Sequence, residues 1–69
     1  MPEYLVIYEQ GSTSWGAYSP DVPGVAVVGD SREHVESRVR DAITFHLEGL
    51  RANGLEVPTP RNAAGVVAA

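Results

Sequence analysis

Residues 31–53 read SREHVESRVRDAITFHLEGLRAN, and their spacing decides the fold. Val35, Val39, Ala42, Ile43, Leu47 and Leu50 recur at steps of three, four, seven and eight. At 100° per residue they form one stripe, which predicts an amphipathic helix. Both ends are punctuated. Asp30 and Ser31 can each accept from the first-turn amides, and Glu33 stands three residues after Asp30, as in a capping box. Gly54 supplies a left-handed stop, with Pro58 just beyond. At 1.5 Å per residue the helix would be about 34 Å long.

Upstream the pattern changes from helical spacing to strand alternation. Residues 3–9 (EYLVIYE) put Tyr4, Val6 and Tyr8 on one side and Leu5 and Ile7 on the other. Residues 10–14 form a polar hairpin loop containing Gly11. Residues 15–19 (WGAYS) are a second strand, with Gly16 expected at a bulge or close approach. Pro20, Asp21, Pro23 and Gly24 are turn residues: proline presets φ, aspartate can bond its own backbone, and glycine accepts positive φ. Residues 25–28 (VAVV) are a third strand, which Gly29 and Asp30 turn into the helix. Downstream, residues 55–60 (LEVPTP) are extended because residues before proline avoid the α region. Residues 62–69 (NAAGVVAA) could form a short fourth strand through Val66 and Val67, or a flexible tail.

The expectation is an α+β domain: an antiparallel three-stranded meander, one long helix on one face, and a candidate fourth strand parallel to the first. A sheet of this width, at about 4.8 Å between strands, exceeds what one helix about 10 Å across can cover. One apolar sheet face is therefore left over, and such a face binds something.

Size and charge narrow the classes. A chain of 69 residues makes a single small core that is marginal alone. It has no cysteine, so neither a disulfide nor a Cys-based metal site can brace it. Oligomerisation or a partner protein is the expected support. The net charge is −4 and all five cations are arginines scattered along the chain, which argues against direct nucleic-acid binding. No run reaches the roughly 20 apolar residues of a membrane span. No basic n-region precedes the short apolar run near the N-terminus, so a cytoplasmic protein is expected.

The order of these signals resembles the HicB-like antitoxin family. The resemblance rests on Pro20, Asp21, Pro23 and Gly24; on Gly29, Asp30 and Ser31; on Leu47, Leu50 and Gly54; and on Pro58 and Pro60, and it runs from Tyr4 to Pro60. It implies a partial ribonuclease-H-like fold of β-β-β-α-β type without catalysis. It implies an antitoxin that binds a small, mRNA-cleaving HicA-type toxin and masks its active site. It divides the chain into a HicB-like domain over 1–60 and a C-terminal strand or tail over 61–69. Relatives often carry a second, DNA-binding domain, for which this sequence leaves no room. The alternative is an orphan domain that self-associates without a toxin.

No residue set marks a catalytic, cofactor or metal site. Asp21, Asp30, Glu9 and Glu33 could be imagined around two metals, but turn and cap chemistry accounts for both aspartates. His34 and His46 lie about 120° apart on the helix and cannot share a ligand. His34 is expected to face solvent; His46 sits on the apolar stripe. Trp15, Tyr18 and Tyr8 are the candidate partner-binding aromatics. Phe45, off the apolar stripe, is a fourth and a candidate subunit contact. Glu36 and Arg40 make a favourable but weak i,i+4 pair.

Overall fold

The computed structural model describes residues 2–69. Three strands are followed by one helix: β1 (Ile7–Gln10), β2 (Trp15–Tyr18), β3 (Ala26–Gly29) and α1 (Arg32–Ala52). The strands form an antiparallel sheet in the order β1-β2-β3, as the meander reading expects.

The register sorts the side chains. Tyr8 pairs with Ala17 and Ala17 with Val27; one step outward, Ile7 pairs with Tyr18 and Tyr18 with Ala26. Ala17 is buried, and Tyr8 and Val27 pack on the same core as Val35 and Val39 of the helix. Strand alternation then puts Ile7, Tyr18, Ala26, Glu9, Gly16 and Val28 on the opposite, outer face. Gly16 lies in regular register, and a Cβ on it would meet only the Val27 carbonyl at 3.6 Å. The bulge expected there is absent, and a side chain would fit.

The β1 ladder is shorter than the apolar run. Tyr4 and Val6 alternate toward the core, but pairing stops at Ile7–Tyr18. The next position along β2 leads into Pro20, which has no N–H to give a ladder. β3 begins one residue later than expected because the Val25 amide donates to the Val22 carbonyl (3.4 Å), a turn bond rather than a ladder bond.

The turn itself contributes to the core. Val22, between Asp21 and Pro23, is fully buried alongside Val35, and each such valine contributes about 1.5–3 kcal/mol. Gly24 takes φ +89°, where a Cβ would be strained. The helix begins at Ser31, whose Oγ accepts from the His34 amide (3.1 Å). Ser31 alone is the cap, so the box expected between Asp30 and Glu33 does not form. The helix ends in a Schellman motif: the Leu55 amide donates to the Leu50 carbonyl (2.9 Å), the Gly54 amide to Arg51 (3.1 Å), and Gly54 is at φ +69°.

Among the described residues no fourth strand forms. Val66 is 100% and Val67 89% exposed. Two valines among small neutral residues offer no face whose burial would offset the ordering of a strand. The exit segment is nevertheless tied down. The Tyr4 hydroxyl donates to the Pro58 carbonyl (2.6 Å), and Asp21 accepts from the Arg61 amide (3.1 Å), the Asn62 amide (3.3 Å) and Asn62 Nδ2 (2.5 Å). The order therefore continues through Asn62.

Candidate docking surface

α1 packs most on β3 and β2 and least on β1. It covers one side of the sheet only. The outer side presents Tyr18 and Val28, the latter 65% exposed, with Ala26 exposed and Leu5 and Ile7 half-buried. Among the described residues, no element packs on this face. Glu9 stands at its margin, across from Gly16 and two strands away from Val28.

The two outer strands are not equivalent. Arg38 donates from its guanidinium to the Val28 carbonyl (3.0 Å) and from Nε to His34 Nε2 (2.9 Å). This ties the end of β3 to the first turns of the helix and blunts that edge with a charge. The Asp30 amide meets His34 Nδ1 at 3.3 Å. A neutral imidazole has one acceptor nitrogen, so these two donors compete for it. His34 is thus half-buried and engaged rather than facing solvent as expected. Gly29 is explained by the same junction. A Cβ there would lie 2.9 Å from His34 Nδ1 and 3.1 Å from Val35 Cγ1.

The four candidate aromatics do not share one surface. Tyr8 and Trp15 lie on the helix side, against the core, and the Arg32 guanidinium sits 4.8 Å above the Tyr8 ring, a cation–π contact. Tyr18 belongs to the outer face. Phe45 is 79% exposed on the solvent side of the helix.

An open cleft of about 720 Å³ lies between the Pro20–Pro23 turn, His46 and Leu50 of the helix, and the exit segment. Asp21 lines it, but its carboxylate is already bonded to Arg61 and Asn62. Ser19 Oγ is buried beside the turn with no hydrogen-bond partner. Among the described residues no group of three His, Asp or Glu side chains gathers that could hold a metal ion, and no helix is long and apolar enough to cross a membrane. Sequence reasoning missed the long-range part of Asp21, because its partners lie 40 and 41 residues away. The only local signal was a carboxylate in an otherwise apolar turn.

The model of the HicB-like antitoxins of bacterial toxin–antitoxin systems matches residues 4–69. The chain belongs to the HicB-like antitoxin family. Antitoxin HicB 2 of Photorhabdus laumondii is 32% identical over 57 residues, which are 83% of this chain and 41% of that protein. The HicB-like chain thus spans about two fifths of the length of the curated relative it matches. No solved structure matches it.

Proposed function

We propose that this chain is the toxin-binding module of an antitoxin, and that it neutralises a HicA-type toxin by covering its active site with the outer face of the sheet. Family membership supports the antitoxin role. The observation that carries the docking site is the uncovered apolar outer face, with Tyr18 on its middle strand and Val28 on its β3 edge. A binder of this kind acts by occlusion, so it needs no catalytic group of its own. The meander followed by one helix matches the first four elements of the partial ribonuclease-H-like reading, and a protein working in such a pair acts in the cytoplasm.

The test is co-expression with the product of the adjacent reading frame. The wild-type chain is expected to restore growth and to co-purify with that product. Val28→Asp places a charge on the β3 side of the face. It should abolish both effects while leaving the melting curve unchanged, because Val28 is already largely in water. Rescue that survives Val28→Asp together with Tyr18→Asp would place the toxin elsewhere on the molecule.

A further inference from the structure

The turn that stops α1 is also a reactive sequence. Asn53–Gly54 is the one Asn-Gly pair in the chain, and both residues are exposed to water. A backbone nitrogen can attack the carboxamide carbon of an asparagine that precedes it. A glycine in second place leaves that nitrogen least hindered, since it has no Cβ. Each member of the pair has a structural reason to be there. Gly54 takes φ +69°, as the helix stop requires. The Asn53 side chain donates from Nδ2 to the Gly49 carbonyl (2.8 Å), one of the carbonyls a helix end leaves short of partners.

The same bonds hold the reacting atoms apart. The Gly54 amide donates to the Arg51 carbonyl (3.1 Å), and the carboxamide is drawn back over the last turn toward Gly49. Asn53 has ψ 8°. At that angle the Gly54 nitrogen eclipses the Asn53 nitrogen, whereas closing a five-membered ring needs it to eclipse the Asn53 Cβ. Ring closure therefore needs a large turn about ψ, which breaks the bonds from Gly54 to Arg51 and from Leu55 to Leu50.

We propose that Asn53 is a deamidation site gated by the end of α1. When the last turn unwinds, the Gly54 nitrogen gives its proton to hydroxide and bonds to Asn53 Cγ. The Cγ–Nδ2 bond breaks and Nδ2 leaves as ammonia, taking a proton from water, which restores the hydroxide. A second water opens the cyclic imide at either carbonyl, leaving aspartate or isoaspartate at position 53. The net reaction consumes one water and releases one ammonia, and nothing is oxidised or reduced. Either product sets a carboxylate at the negative end of the helix dipole and removes the donor to Gly49. Isoaspartate also adds a methylene to the main chain inside the stop. The motif then recloses less well, so the modification is a lasting record of unwinding. Asn62 is an internal control: alanine follows it, and its carboxamide is bonded to Asp21 (2.5 Å). None of this rests on the docking reading.

Incubation of the full chain at neutral and at mildly alkaline pH, with mass spectrometry of its tryptic peptides, tests the proposal. Aspartate and isoaspartate should accumulate at 53 well ahead of 62, and faster at the higher pH. In urea above the unfolding midpoint the reaction at 53 should run about tenfold faster or more, because the local opening is then no longer needed. Ala52→Gly leaves the reacting pair intact and should speed the folded chain about fivefold, the factor by which glycine weakens a helix turn. Asn53→Asp, which has the chemistry of one product, should lower the melting temperature and hasten amide exchange at Gly54 and Leu55. Equal rates at 53 in the folded chain and in urea overturn the gate, as does an Ala52→Gly chain that reacts no faster. Absence of product at 53 in both folded chains, or reaction at 62 as fast as at 53, overturns the site.

Discussion

At the scale of single residues, Gly29 shows how a backbone position can be set by a neighbour in space. Its φ is ordinary, since Gly24 and Gly54 are the positive-φ glycines among the described residues. What forbids a side chain is the imidazole of His34 and the Val35 methyl pressed against it. Gly29→Ala is expected to cost about 1–3 kcal/mol, the usual range for overpacking a close contact, read as a lowered urea midpoint with unchanged slope. The same substitution at Gly16, where a Cβ meets only ordinary contacts, should cost far less. His34 itself is more than a first-turn residue. It accepts from Arg38, and Arg38 in turn holds the Val28 carbonyl, so one guanidinium links the helix start to the end of β3.

At the scale of elements, the exit segment is the informative case. The prolines at 58 and 60 make it extended, but extension alone does not place it. Two side chains do: Tyr4 through Pro58 and Asp21 through Arg61 and Asn62. Asp21 is 8% exposed, so its charge relies on those donors. Asp21→Ala removes a charge-assisted set and should destabilise the chain by about 2–3 kcal/mol. Amide hydrogen exchange should accelerate at Arg61 and Asn62 more than at Val35 or Val39. Equal acceleration throughout would mean that the carboxylate braces the turn rather than the exit. The helix termini behaved as their residues suggest. Ser31 caps one end and Gly54 closes the other, because each satisfies orphan backbone groups with its own neighbours and needs nothing distant.

At the scale of the whole molecule, one helix is laid over a three-stranded sheet, and the two sides of that sheet have different fates. Trp15 and Tyr18 are three residues apart on one strand and point opposite ways. Trp15 packs on the core, so Trp15→Ala is expected to lower stability by about 2–4 kcal/mol. Tyr18 stands on the uncovered face, so Tyr18→Ala should leave the melting temperature nearly unchanged and weaken toxin capture in a pull-down. Thermal melts of both variants beside that pull-down check the split; a reversal of the two effects would mean that the docking surface is on the helix side.

What the sequence determined by itself is everything that rests on neighbours within a few residues: the helix and its two ends, the meander, the alternation along β1, the turn at Pro20–Gly24, and the family. Periodicity, capping and turn chemistry are local, so they can be read from the order of residues alone. The tertiary structure decided what local order cannot reach. It buried Val22 from within a turn and sent the Asp21 carboxylate across the fold to Arg61 and Asn62. It engaged His34, left Val66 and Val67 unpaired, and divided the aromatics between a covered and an uncovered side. Each of those outcomes depends on which surfaces the packed elements leave open, and that geometry exists only once helix and sheet have met.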